Sequence, residues 1–141
     1  EAILGLIREN SQPDRKLKAH IHLTAAELYI KQKKYKLAIE ELTKGERLTK
    51  DRTLKYRSNF ILGQLHLQEG NFEKANEHYL RVIKANSPYD YVFQSNLGLT
   101  KATAQSGGKG LKSTRKSLKR MLKDDKNIEY FDQIYCYNYS Q

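Results

Sequence analysis

Apolar residues recur every three or four positions in six stretches of the chain, the spacing that places them on one face of an α-helix. In the first stretch the apolar positions are Ile21, Ala25, Leu28 and Tyr29. Turn-forming runs of Gly, Asn, Asp, Ser and Pro separate the stretches. The pattern therefore predicts an all-α fold, with helices at about residues 17–33, 35–48, 54–69, 72–84, 89–103 and 111–123.

One block of sequence occurs twice, with its copies 37 residues apart. Each copy has a small residue, then an aromatic residue, then an alanine. The matched positions are Ala26, Tyr35 and Ala38 in the first copy and Gly63, Phe72 and Ala75 in the second. Small residues let two antiparallel helices approach closely, and the aromatic ring fills the space beside the turn. The repetition predicts a stack of helical hairpins, which holds partners rather than performing catalysis.

We predict one solenoid of antiparallel helix hairpins over residues 1–141, with about three repeats and partial helices at both ends. Because the chain starts at Glu1 with neither a Met nor a signal peptide, we expect it to be a piece of a longer protein. The predicted parts are the end of a preceding repeat at 1–10, repeats at 17–50 and 53–87, a degenerate repeat at 88–125, and the first helix of a truncated repeat at 127–141. The residues predicted to face inward on the hairpins include Ala38, Ile39, Leu42, Phe60, Leu62, Gly63, Leu67, Ala75, Tyr79, Val82, Ile83, Leu118, Met121 and Leu122.

These repeats resemble the tetratricopeptide repeat, which places Leu-Gly, Tyr, Gly-x-Tyr, Ala, Phe or Tyr, Ala and Pro at fixed offsets within ~34 residues. The middle copy matches at Leu62, Gly63, Gly70, Phe72, Ala75, Tyr79, Val82 and Pro88, and the first at Ala26, Tyr29, Tyr35 and Ala38. Lys33 stands where glycine is usual, and the third copy departs from the pattern after Gly98. The resemblance implies a tetratricopeptide solenoid that binds protein or peptide partners.

Residues 86–95 and 119–135 resemble, more narrowly, a large repeat-bearing periplasmic lipoprotein of Bacteroidetes that acts in type IX secretion and gliding motility. This resemblance implies a periplasmic scaffold that bridges components of the secretion machinery. Its anchor would be an acylated cysteine outside this chain. Residues 136–141 depart from that family, which would have Tyr-Ala-Leu-Ala there.

Charge bears on the partners more than on the fold. The net charge of +10 favours acidic proteins, anionic lipid surfaces or nucleic acid through long-range attraction. Only 38% of the residues are hydrophobic and 30% are charged, which suits helices that each bury a single stripe. No run approaches the ~18 apolar residues of a membrane span, so we expect no transmembrane segment in this chain.

The first candidate binding surface is the concave groove that the first helices of stacked hairpins form. Its predicted contact residues are His20, Leu23, Glu27, Ile30, Lys31, Arg57, Phe60, Gln64, Leu67, Gln68, Ser95, Leu99 and Ala102. The mixture of apolar and polar groups suits a peptide. The alternative is that Leu23, Phe60 and Leu67 only pack between repeats, as large apolar side chains usually do.

The second candidate surface is a basic helix face. Its cations recur at helical spacing and are Lys112, Arg115, Lys116, Lys119, Arg120 and Lys123. A solvated outer face of a helical repeat would look the same. An acidic protein surface or an anionic lipid surface is the alternative, and nucleic acid is disfavoured because no aromatic residues are interleaved with the cations.

Catalytic, metal and cofactor sites are not indicated, so we predict a protein that is not an enzyme and has no cofactor. His66 and His78 lie on partner helices and could meet at a crossing, but no further residue completes a ligand set. The turn at 106–110 follows a helix and lacks the Gly-Lys-Ser/Thr of a phosphate loop. Three other functions stay open: a cytoplasmic peptide-binding adaptor, a basic RNA-binding repeat protein and the recruiting module of an enzyme.

Overall fold

Six α-helices form the part of the chain that the computed structural model describes, residues 14–106 and 111–124. They are α1 (Arg15–Lys31), α2 (Tyr35–Leu48), α3 (Arg52–Gln68), α4 (Phe72–Lys84), α5 (Tyr89–Gln105) and α6 (Leu111–Leu122). The predicted all-α fold of consecutive helical hairpins is confirmed, and the predicted helix ends lie within two residues of those observed. The terminal segments predicted at 1–10 and 127–141, and the glycines after Ser106, lie outside the described residues.

Aspartates begin two of the helices. An Oδ1 atom of Asp14 accepts a hydrogen bond of 2.7 Å from the amide of Leu17, and Oδ1 of Asp51 accepts one of 3.0 Å from the amide of Leu54. Each aspartate thereby satisfies an amide that has no partner within its helix. The negative charge also lies at the positive end of the helix dipole. The starts of α1 and α3 are thus stabilised by aspartates of the local sequence.

The ends of α1 and α3 share one conformation. Lys33 has φ 59° and Gly70 has φ 81°, both in the left-handed region. The amide after each of them donates to the carbonyl five residues earlier, at 2.9 Å and 2.8 Å respectively. This hydrogen bond across a left-handed residue is the Schellman ending of a helix. Glycine adopts that conformation without strain, whereas a side chain at Lys33 is strained.

Lys33→Gly is expected to raise the free energy of unfolding by about 0.5–1 kcal/mol, because it removes the left-handed strain at some cost in chain entropy. Urea denaturation followed by circular dichroism measures the change. The matched control is Lys34→Gly, since Lys34 has an ordinary φ of −93° and glycine there should destabilise. A urea midpoint of Lys33→Gly at or below that of the parent protein would contradict the inference that Lys33 is strained.

The chain divides into two compact units, Glu1–Leu62 and Gly63–Gln141. In the first unit, α1 packs against α2 through Ala26 and Ala38, which are both fully buried. Farther along the same pair of helices, a Cβ atom at Gly45 would lie 2.6 Å from Cδ2 of Leu23, so the glycine is what lets the helices meet there. Small residues therefore set the close approach of this hairpin, as the repeated block predicts.

A buried carboxylate joins α2 to α3 in the same unit. Glu46 is 8% exposed, and its Oε1 accepts a hydrogen bond of 3.3 Å from Nδ2 of Asn59. Nζ of Lys55 lies 3.5 Å from that oxygen and donates to the Glu46 carbonyl at 3.2 Å. A buried charge needs such partners, because desolvation without them is costly. The three side chains form one polar contact between neighbouring hairpins.

The second unit is organised around the ring of Tyr79. A Cβ atom built on Gly63 would lie 2.7 Å from the ring, and one built on Gly98 would lie 2.4 Å from it. The ring therefore packs against glycine backbone of both α3 and α5. Ala75 and Ala102 are fully buried on α4 and α5, which pack against each other. A further cluster joins α5 to α6, formed by Phe93, Leu97 and Leu118 with Met121 and Leu122 packed against them.

Some core predictions are corrected. Phe60 and Leu67, predicted to be buried, are only partly buried, as are Ile39 and Ile83. Leu65, which was not predicted to face inward, is buried. On α3 the buried leucines are thus Leu62, as predicted, and Leu65, three residues further along the same side of the helix.

Candidate partner-binding surfaces

The predicted groove residues of α1 form the best-exposed candidate surface of the first unit. We call His20, Leu23, Glu27, Ile30 and Lys31 the α1 face. His20, Glu27 and Lys31 are exposed, whereas Leu23 and Ile30 are partly buried. Leu23 is the side chain that lies against Gly45, so part of it packs inside the hairpin. The face therefore presents three polar side chains beside two apolar ones.

A cleft of about 790 Å³ lies where the start of α1, the end of α2 and the start of α3 meet. Its lining includes the cations Arg15, Lys16 and Lys50, together with His20 of the α1 face. Nε of Arg15 donates a hydrogen bond of 2.8 Å to the carbonyl of Leu48, so this side chain also holds the end of α2. The volume is within the range of about 300–1,000 Å³ that is typical of ligand sites.

The groove residues predicted on α3 belong to both units and are described unit by unit. In the first unit Arg57 is exposed and Phe60 is partly buried. In the second unit Gln64 and Gln68 are exposed and Leu67 is partly buried. Each unit therefore offers polar side chains of α3 to solvent.

On α5 the structure departs from the predicted groove. Ser95 is fully buried, with 0% exposure, and its hydroxyl has no hydrogen-bond partner among the described residues. Ala102 is also fully buried, and Leu99 is partly buried. The reason is that α5 packs against both α4 and α6, so it buries more than one stripe. Ser95 and Ala102 therefore lie in the packing rather than on a contact surface.

The basic face predicted on the last helix is exposed where the structure describes it. Arg115, Lys116, Lys119 and Arg120 of α6, and Lys123 just after it, are all exposed. Leu118, on the other side of the helix, is fully buried. The side chain of Lys112 lies outside the described part of the chain. The five described cations thus share the solvent side of one short helix.

Two histidine contacts fix helix pairs. Nδ1 of His22 on α1 lies 2.5 Å from Oε2 of Glu41 on α2. His66 and His78, on α3 and α4, stack with ring centroids 5.3 Å apart and an angle of 4° between the rings. Burial lowers the pKa of His66, the nearby Lys74 ammonium lowers it further, and Glu77 partly offsets both effects. Within the described residues, no group of three or more His, Cys, Asp or Glu side chains could hold a metal ion.

Comparison with protein families decides the repeat class. The tetratricopeptide-repeat model matches residues 19–52 and again residues 56–89. The chain contains two tetratricopeptide repeats. The first corresponds to the α1–α2 hairpin and the second to the α3–α4 hairpin, while α5 and α6 follow the second repeat. Comparisons with curated proteins and with solved structures give no significant match.

Tetratricopeptide repeats indicate a protein-interaction scaffold. The family match identifies the repeat class. It is not evidence for membership of the narrower lipoprotein family. Among residues 14–106 and 111–124, none of the helices has both the length and the apolar character needed to cross a bilayer.

Sequence reasoning did not find the cleft or the polar contact at Glu46. Both arise where residues distant in sequence meet, since the cleft combines the ends of three helices. A charge pattern read along single helices shows neither feature. One signal was present: Arg15, Lys16 and Lys50 flank predicted turns, where side chains from two hairpins can converge.

Proposed function

We propose that this chain is a protein-interaction scaffold whose first unit binds a peptide segment of a partner on the α1 face and in the adjoining cleft. The observation that carries the proposal is the position of His20. It is exposed on the first helix of a tetratricopeptide repeat and also lines the 790 Å³ cleft. A peptide lying on the α1 face can therefore extend into the cleft without leaving the unit.

The chemistry of this surface suits a peptide with both apolar and charged side chains. Ile30 and Leu23 supply partly buried apolar area, and Glu27 and Lys31 supply one charge of each sign. In the cleft, Arg15, Lys16 and Lys50 favour an acidic group of the peptide, although Asp14 and Asp51 moderate the local charge. Charged rims mainly set specificity and association rate, whereas apolar contacts supply more of the affinity.

The cellular setting that we propose is the periplasm of a Bacteroidetes bacterium. There the chain would belong to a lipoprotein that bridges components of the type IX secretion and gliding machinery. The support is the sequence resemblance of residues 86–95 and 119–135. The partners would then be secretion-machinery proteins of the cell envelope.

Affinity capture tests the scaffold and its setting together, with this chain as bait in envelope and cytosolic extracts of the source organism. Glu27→Lys combined with Lys31→Glu is expected to reduce the recovery of specific partners about tenfold, equivalent to about 1.4 kcal/mol. The matched control is Lys36→Glu with Glu40→Lys on α2. Lys36 and Glu40 are also exposed, are also four residues apart, and are exchanged with no change in net charge.

The possible results test the α1 face, the scaffold function and the periplasmic setting separately. Partners that are recovered from the envelope by the parent and the control, and lost with the α1 variant, support both the surface and the setting. The same pattern from cytosolic extract alone refutes the periplasmic setting and keeps the scaffold. Equal recovery by all three baits refutes the α1 face. Recovery of nucleic acid alone, removed by salt, refutes the scaffold.

A further inference from the structure

The exposed side of α6 carries charge of one sign. The exposed side chains that the structure describes on α6 are all cations, Arg115, Lys116, Lys119 and Arg120, and exposed Lys123 and Asp124 follow the end of the helix. The other side packs against α5, since Leu118 is fully buried in a cluster with Phe93 and Leu97. Among its described side chains, the helix therefore presents a cationic surface and no free apolar face with which to enter a lipid surface.

The like-charge pairs in this arrangement are unfavourable to the helix itself. Lys116 and Arg120 are four residues apart, as are Lys119 and Lys123, and like charges at this spacing destabilise a helix. Within the described residues, none of these four cations has an acidic partner in an ion pair. The exposed side of α4 differs, because Glu73 and Glu77 are interspersed among its cations. The helix dipole favours the cations of the last turn, Lys119 and Arg120, but not the like-charged Lys116 a turn earlier, so the folding of the helix accounts for only part of its charge pattern.

We propose that Lys116, Lys119, Arg120 and Lys123 form a docking surface for an acidic segment of a protein partner. This inference rests on the proposed function as a scaffold and adds a second contact surface, in the second unit. Successive pairs of cations along the helix are separated by about 6 Å, from a rise of 1.5 Å per residue over four residues. A partner helix with pairs of acidic residues once per turn has carboxylates at the same spacing.

Nucleic acid also carries regularly spaced negative charge, but the described surface fits it less well. No aromatic residue occurs in α6, so the stacking platform that single strands use is absent from this helix. The helix has 12 residues and is held along one side by Leu118, Met121 and Leu122, which limits how deeply it could enter a groove. Contacts to phosphates alone would bind nucleic acid without sequence specificity, whereas carboxylate side chains of a protein can reach the cations from the surface of a folded helix.

The test uses fluorescence anisotropy of a fluorescein-labelled peptide made of repeated Glu-Glu-Ala-Ala units. The parent chain is compared with the variant Lys116→Gln, Lys119→Gln, Arg120→Gln. The matched control is Lys74→Gln, Arg81→Gln, Lys84→Gln on α4, which removes the same number of exposed cations from the same unit. We expect the α6 variant to bind about tenfold more weakly and the control to change less than about twofold, with circular dichroism showing unchanged helix content.

Each other result overturns the inference. Equal losses in the two variants would show that net charge, and not α6, attracts the peptide. No binding by the parent chain at low salt, or equal binding of a Gln-Gln-Ala-Ala peptide, would exclude an acidic segment as the ligand. Tighter binding of an oligonucleotide that depends on the same cations would assign the surface to nucleic acid.

The test also separates this inference from the proposed function. The α1 variant, Glu27→Lys with Lys31→Glu, should bind the Glu-Glu-Ala-Ala peptide as the parent does, because its changes lie in the other unit. If the peptide fails to bind while envelope partners are still captured through the α1 face, only the inference about α6 is wrong. If the peptide binds but capture fails, the α6 surface stands and the proposed function is wrong.

Discussion

Tyr79→Ala is expected to lower the free energy of unfolding by about 3–5 kcal/mol, the usual cost of deleting a large buried aromatic side chain. Tyr79 is 2% exposed, and its ring packs against the backbone at Gly63 and Gly98. With no side chains at those two positions, neighbouring groups have little means of filling the cavity that remains. Urea denaturation of the parent and the variant, followed by circular dichroism, measures the loss.

Two controls accompany this variant. Tyr79→Phe keeps the ring and should retain most of the stability. Leu80→Ala removes the next side chain on α4, which is 40% exposed, and should cost less than about 1 kcal/mol. If Tyr79→Ala lowers the free energy of unfolding no more than Leu80→Ala does, the Tyr79 ring does not organise the packing of α4 against α3 and α5.

The same crossing predicts a coupling between the ring and the glycine. Gly63→Leu should cost about 1–3 kcal/mol in the parent chain, because overpacking displaces the Tyr79 ring. In the Tyr79→Ala background the cost should be much smaller, since the new side chain then enters the vacated space. A double-mutant cycle with additive effects would place the ring and Gly63 in separate environments.

Acidification is expected to weaken the α3–α4 hairpin, because burial holds the pKa of His66 below its usual value of 6.5. The folded chain therefore keeps His66 neutral at a pH where the unfolded chain takes up a proton. The stabilisation is fully present above pH 6.5 and is lost as the pH falls through the lowered pKa. Its size is about 1.4 kcal/mol for each unit by which the pKa is lowered.

Denaturation midpoints measured from neutral pH down to about pH 5, across the titration range of histidine, test this expectation. His66→Phe keeps a ring for stacking against His78 but cannot be protonated, so its midpoint should fall less steeply with pH. His20→Phe is the control, because it replaces an exposed histidine with the same side chain. Parallel curves for the parent chain and His66→Phe would assign the pH dependence to other groups.

The sequence was sufficient for the hairpins because their crossings depend on small residues at fixed spacing. Gly63 and Gly98 each follow a leucine at the same place in successive hairpins, and this repetition predicts close contact there. The structure adds that one ring, Tyr79, contacts both glycines. A linear pattern shows which positions are small but not which side chain fills the space beside them.

The candidate surfaces were less predictable, for a physical reason that Ser95 illustrates. A serine between apolar positions is expected to be exposed, yet helices on both sides of α5 bury it. Glu46 is the matching case among charged residues. Its burial depends on Asn59 and Lys55, which lie on the following helix. Periodicity within one helix does not report such neighbours.

The polar contact at Glu46 makes the two repeats unequal as building blocks. The position 37 residues later is Ile83, a partly buried apolar side chain. A chain engineered with two copies of the second repeat in tandem would place the Ile83 position of one copy opposite the Asn59 and Lys55 positions of the next, and would leave those polar groups without the carboxylate. The contact therefore spans two repeats, and a duplicated or transplanted repeat keeps it only where a Glu of the preceding repeat meets a Lys and an Asn of the following helix.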